Sequence, residues 1–145
     1  MIFSKACEYA IRATLHIALQ SIEGNRSSLR DISAEIGSPE AYTSKILQQL
    51  VRSGVISSAK GAAGGFMIEP RRMNRLMLED IVAAIDGKFD NDLCVIGMKA
   101  CSQKHPCPVH DQYKHIKSGI RSMLQNTSLY EMCNGLKEGR TCLNF

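Results

Sequence analysis

Several things are missing from this 145-residue chain. It has no run of 18 apolar residues, so a membrane-spanning helix is not expected. Its first apolar stretch is interrupted by Lys5, Glu8 and Arg12 and lacks a small-residue cleavage site, so an amphipathic helix is expected there and not a signal peptide. No Cys-x-x-Cys pair occurs, which argues against a thiol-redox enzyme. There is no Ser/His/Asp set, phosphate loop or paired-carboxylate arrangement either, so catalysis is not indicated. Internal repeats and low-complexity segments are also absent. A cytoplasmic location is expected, where thiols stay reduced and metal chemistry outranks disulfides.

Positive charge is scarce in one half. Through Arg75 there are 10 Lys and Arg against 6 Asp and Glu, and from residue 76 onward 8 against 8. The first half is therefore the one expected to meet phosphate.

What the chain does have is a dense group of ligand-type residues. Cys94-x6-Cys101-x5-Cys107-Pro108-Val109-His110 places three of six cysteines and a histidine within seventeen residues. Thiolates gathered this closely favour soft metals or iron–sulfur clusters, and an imidazole can complete such a site. Cys7, Cys133 and Cys142 are isolated and read as structural or bystander thiols. His16, His105 and His115 have no partner at ligand spacing, and Asp90 and Asp92 read as a solvated loop.

The rest reads as mainly α with a small β-hairpin. Residues 3–22 carry apolar groups at helical spacing. Ser28 and Asp31 resemble a capping box opening a short helix that stops at Gly37. Ser38 and Pro39 fit the N-cap and first turn of a helix running to about Ser53, with Ile46, Leu47, Leu50 and Val51 buried. Two short helices with a tight glycine-containing connection match a helix-turn-helix. Val55–Ser58 and Gly65–Ile68 flank a glycine-rich turn and form the wing of a winged helix.

A short helix is expected over Met77–Ile85, with a helical turn or two within Leu93–Met98. Pro108 fits the first turn of a long helix reaching Asn126, and a last helix spans Ser128–Leu136. Val109, Tyr113, Ile116, Ile120 and Met123 advance by threes and fours, close to a heptad seam for a second copy. The expected organisation is a winged helix-turn-helix over 1–86, a cysteine-bearing sensor loop over 87–107, and a dimerisation helix with C-terminal helix and tail over 108–145.

These blocks resemble one family. Met1-Ile2-Phe3-Ser4 with Glu8-Tyr9-Ala10-Ile11-Arg12-Ala13, the segment Tyr42–Ile56, the wing Ser57–Phe66, Leu78–Asp86 and the three-cysteine loop are together similar to the Rrf2 family of bacterial transcription regulators. The resemblance implies a homodimer that binds double-stranded, pseudo-palindromic promoter DNA, expected to act as a repressor. It also implies that Cys94, Cys101 and Cys107 hold a [2Fe–2S] cluster. The fourth ligand differs among branches of the family: His110 stands at one branch's position and Glu8 at another's, and both stay open. The chain departs from the family in two places. Six residues, not five, separate the first two cysteines, and Lys60 stands where an arginine is usual, keeping the charge but losing the bidentate fork.

For DNA, Tyr42, Thr43, Ser44 and Lys45 near the recognition-helix start are expected in the major groove. Ser28, Ser38 and Lys60 are expected at phosphates, with Gly61 letting the wing approach closely; Arg26 and Arg30 are weaker candidates. Two rivals remain: a thiol- or zinc-based sensor without a cluster, and a metal- or cluster-handling protein that does not bind DNA.

Overall fold

Small and branched apolar residues at three- and four-residue steps make the first helix, α1 (Lys5–Ile22), the pillar of the molecule. The computed structural model describes residues 2–89, 94–99 and 101–143. Along α1, Cys7, Ala10, Ala13, Thr14, Ile17, Ala18 and Ser21 are buried, and the alanines let neighbouring helices approach closely. Its N-cap is Ser4, whose hydroxyl accepts from the Cys7 amide at 3.1 Å.

α2 (Leu29–Ile36) starts on the expected cap. Ser28 Oγ accepts from the Asp31 amide at 3.1 Å and donates to the Asp31 carboxylate at 2.7 Å. It ends at Gly37, in the left-handed conformation at φ 64°. The Ser38 amide then donates back to the Ser33 carbonyl at 3.1 Å. That bond corrects one expectation. Ser38 closes α2 rather than capping the next helix, whose N-cap is Pro39 with no side-chain bond. The recognition helix α3 (Glu40–Arg52) buries Ile46, Leu47 and Leu50, each side chain worth about 1.5–3 kcal/mol in transfer from water.

The wing is shorter than read from sequence, β1 (Ser57–Ala59) against β2 (Gly65–Met67), antiparallel with Ser58 opposite Phe66. Val55 and Ile56, expected in the first strand, are buried in the helical core instead. Two glycines are required here. A Cβ on Gly64 would lie 2.3 Å from the Ala59 carbonyl oxygen, and one on Gly65, at φ 124°, would lie 2.8 Å from that of Ser27. Ser27 and Phe66 exchange backbone hydrogen bonds of 3.0 and 2.8 Å, tying the wing to the turn before α2.

After a short 3-10 helix (Pro70–Arg72), α4 (Leu78–Asp86) packs on α1 and α3. Its last residue reaches back 82 positions: the Asp86 carboxylate accepts from the Ser4 amide at 2.8 Å and from the Ser4 hydroxyl. α5 (His110–Asn126) begins two residues beyond Pro108, which lies outside the helix, with Val109 as its N-cap. It leans on α4 through Leu124 and Ile120. α6 (Leu129–Lys137) opens on a reciprocal Ser128–Glu131 capping box. It returns Leu129 and Cys133 to the core shared by α1 to α4. Among the described residues, no helix is long and apolar enough to cross a membrane.

Candidate nucleic-acid interface and cysteine loop

The 3.6-residue repeat of α3 divides its candidates. Tyr42 and Lys45 are exposed and Ser44 is half-buried on the outer face, with Gln48 and Arg52 one and two turns on. Thr43 falls in line with Ile46, Leu47 and Leu50 and is fully buried, its hydroxyl without a hydrogen-bond partner. It cannot reach a groove from there, which corrects the expectation. Ser38 is buried too, with an unpartnered hydroxyl, so a phosphate contact through that group is also corrected. Ser28 is exposed, although its hydroxyl already serves the α2 cap. Lys60 and Gly61 occupy the exposed wing tip, and the Gly64 amide donates to the Gly61 carbonyl at 2.9 Å to close it. Arg26 and Arg30 are exposed around the start of α2.

Tyr42 has a neighbour the sequence reading did not assign. The Tyr9 ring of α1 meets it edge-on, with centroids 6.0 Å apart and planes at 83°.

The cysteine loop is brought together in pairs. Cys101 Sγ lies 3.4 Å from His110 Nδ1, at the start of α5, where the imidazole is buried. Cys94 sits within hydrogen-bonding reach of the Cys107 thiol. The helical turn expected near Leu93–Met98 is a single closed turn, the Gly97 amide donating to the Cys94 carbonyl at 2.9 Å; Leu93, like Asp90 and Asp92, lies outside the described residues. In that turn the Ile96 amide, and after it the Met98 amide, hold the Cys94 thiol below its ordinary pKa, with smaller help from Cys107 and the charge of Lys117. Among the described residues, no three ligand-type side chains converge on one point. Glu8 is not drawn to the loop; it pairs with Lys5 on its own helix at 3.0 Å.

The surroundings suit negative charge. A cleft of about 290 Å³ beside the Cys101–His110 pair is lined by these two with Gln103, Lys114, Lys117 and Arg121, and no described carboxylate lines it. The cations recur at helical spacing from His110, a signal the sequence reading passed over. In type the donors fit a soft metal or cluster: thiols, an imidazole, one thiol already biased toward the thiolate that a metal requires, and cations to offset the charge. The isolated thiols contrast with this. Burial, then the nearby Asp86 carboxylate, pushes Cys7 up to about 12, and burial pushes Cys133 up to about 11. Both are core residues, while Cys142 is exposed.

Known proteins are similar to this chain in sequence and in fold. The chain is 31% identical over 124 residues to the HTH-type transcriptional regulator IscR of Xenorhabdus nematophila, covering 86% of this chain and 74% of the relative. It is 29% identical over 126 residues to the IscR of Pectobacterium atrosepticum, covering 87% and 75%. Two solved structures share the fold. CymR of B. subtilis, a global cysteine regulator, has a TM-score of 0.71 at 17% identity, covering 91% of this chain and 95% of that one. T. potens IscR has a TM-score of 0.69 at 22% identity, covering 97% and 92%. The sequence model of the Rrf2 family, described as an iron-dependent transcriptional regulator, matches residues 3–135. A match of that extent, on a helix-turn-helix with a wing, makes this chain a member of the Rrf2 family of transcriptional regulators and not an enzyme.

Proposed function

We propose that this regulator is a cytoplasmic homodimer that represses transcription from two-fold promoter sites, with residues 94–107 as its sensor. One observation carries the reading: the thiol-bearing loop runs directly into α5, where the N-cap Val109 and, within the helix, Ile116 and Met123 are 38%, 56% and 42% exposed along one face. Large apolar side chains lined up on an exposed helix face mark an interaction surface. Packing two such helices would set two recognition helices about one DNA turn apart, roughly 34–36 Å. Tyr42, Ser44 and Lys45 then read the groove, while Lys60, Gly61 and the α2 start at Ser28 meet phosphates. Residues 1–86 read DNA, 87–107 sense, and 108–145 join the two copies.

Cys94, Cys101 and Cys107 would hold a soft metal or a [2Fe–2S] cluster. The family's iron-dependent description supports iron. His110 is the fourth ligand favoured within one chain, because it already lies beside Cys101. Glu8 is the alternative, reaching the site from the partner copy. A bound cluster would supply bonds to iron that respond to oxidant. The chain's own contribution is the amide cradle of Cys94, the cations beside Cys101, and the direct joint to α5. Loosening the loop would shift α5 and α1, change the spacing of the recognition helices, and weaken the fit to a two-fold operator.

The test is the visible spectrum, with iron and sulfide content, of protein purified without oxygen, beside DNA affinity across a salt series. Coloured protein with steep salt dependence is expected. A colourless, iron-free sample that cannot be reconstituted removes the cluster and leaves the DNA reading. Protein without salt-dependent affinity for DNA removes the regulator. The Cys94–Cys107 contact favours a second reading, a metal-free sensor. In it, peroxide takes two electrons from the pair, its O–O bond breaks and its oxygens leave as two waters carrying both thiol protons, and a disulfide forms. Loss of two titratable thiols in metal-free protein would support it.

A further inference from the structure

Lys5, Tyr9 and Arg12 recur at four- and three-residue steps and so share one face of α1. The Lys5 ammonium lies 5.1 Å from the Tyr9 ring centroid, and the Arg12 guanidinium carbon lies 5.8 Å from the same point. That ring touches Tyr42, a groove-reading side chain. Ala6, next to Lys5, lines a groove with Tyr42, Lys45, Gln48, Gln49 and Arg52. The cation-bearing face of α1 is therefore continuous with the outer face of α3. Electrostatically, Lys5 and Arg12 extend the row formed by Lys45 and Arg52.

Lys5 is engaged in a second way. It pairs with Glu8 at 3.0 Å, with its side chain 55% exposed. An exposed pair of this kind is worth little, and a DNA phosphate gains the entropy of released counterions, so phosphate competes well for the ammonium.

We propose that α1 is a third DNA-contacting element, beside the recognition helix and the wing. Lys5 passes from Glu8 in the free protein to a backbone phosphate in the complex. This rests on the DNA-binding reading above and needs no metal. It gives Glu8 a role in affinity whether or not it is a ligand: anything that draws its carboxylate away, a metal in the partner's loop included, releases Lys5 for phosphate.

The experiment uses full-length, metal-free protein and a duplex selected by the native protein from a random pool, with affinity followed by fluorescence anisotropy across a salt series. Circular dichroism confirms native helix content in each variant. Lys5→Gln is expected to weaken binding and reduce the slope of log K against log salt by about 1.8, two phosphate contacts per dimer at about 0.9 each. Lys5→Arg restores the slope. Glu8→Gln is expected to bind about 2- to 30-fold more tightly, the equivalent of two exposed ion pairs per dimer, and to lose that gain when combined with Lys5→Gln. An unchanged slope in Lys5→Gln overturns the proposal, as does a Glu8→Gln gain of equal size without Lys5. If the native protein shows no salt-dependent DNA affinity, the DNA reading itself falls, a result distinct from either.

Discussion

α3 and α5 are both amphipathic, yet they are held by different means. α3 turns Thr43, Ile46, Leu47 and Leu50 into a core also built from α1, α2, α4 and α6. α5 is longer, at 17 residues, and buries only His110, Lys117 and Leu124, two of them polar. Helices in proteins owe most of their stability to packing of an apolar face. α3 has that within its own chain, whereas α5 leaves Ile116 and Met123 in solvent. One helix is packed within its own chain, and the other leaves part of its apolar face uncovered.

The contrast can be broken by mutation, and the largest effect is expected in the reading half. Leu47→Ala should cost about 2–5 kcal/mol in urea unfolding. Met123→Ala, on the outer face of α5, should change the stability of the isolated chain by less than about 0.5 kcal/mol. Equal losses would erase the distinction. Next comes Ile116→Glu, which would set two carboxylates against each other across an α5 seam at a cost of several kcal/mol. Sedimentation should then find monomer, and operator affinity should fall; a dimer that persists would move the interface elsewhere.

Cys101→Ser removes one of the proposed ligands, and metal affinity should then fall by at least the ~10–100-fold typical of losing an outer-shell partner. If this variant binds its operator with native affinity and responds to oxidant as the native protein does, the loop is not a switch. The smallest effect is in pH. Amide donors stabilise the Cys94 thiolate and lower its pKa, so metal-free protein should alkylate first at Cys94, with a half-reaction pH below the ordinary value near ~8.5. Cys7 and Cys133 should stay silent until about pH 12 and 11 or until the chain unfolds. Mass mapping of the labelled peptides decides it, and early labelling of Cys133 would contradict the packing described for α6.

Local signals were the readable part of this fold. The Ser28 cap, the Gly37 stop, the glycine-rich wing and the apolar stripes each depend on residues within a few positions, and the helices formed within a residue or two of expectation. Thr43 was misassigned although the signal was present, since it stands three, four and seven residues before Ile46, Leu47 and Leu50. A threonine near a helix start suggested a groove contact, and its polarity obscured its place in the stripe. Ser38 misled for a similar reason, because a serine before proline fits an N-cap while its amide is committed to the end of α2. The Tyr9–Tyr42 contact and the Ser4–Asp86 bond join distant segments, and no periodicity announces them. In the loop, spacing identified the donor types, but only folding reveals the two pairs.

The backbone exchange between Ser27 and Phe66, with Gly65 held too close for a side chain, fixes the wing to the turn that leads into the reading helices. The wing is thus joined to the segment that opens α2 and leads to α3, so that a displacement of one is passed to the other. In a dimer built this way, the adjustable quantity would be the phase between one reading head and the next along the duplex, more than the grip on a single half-site.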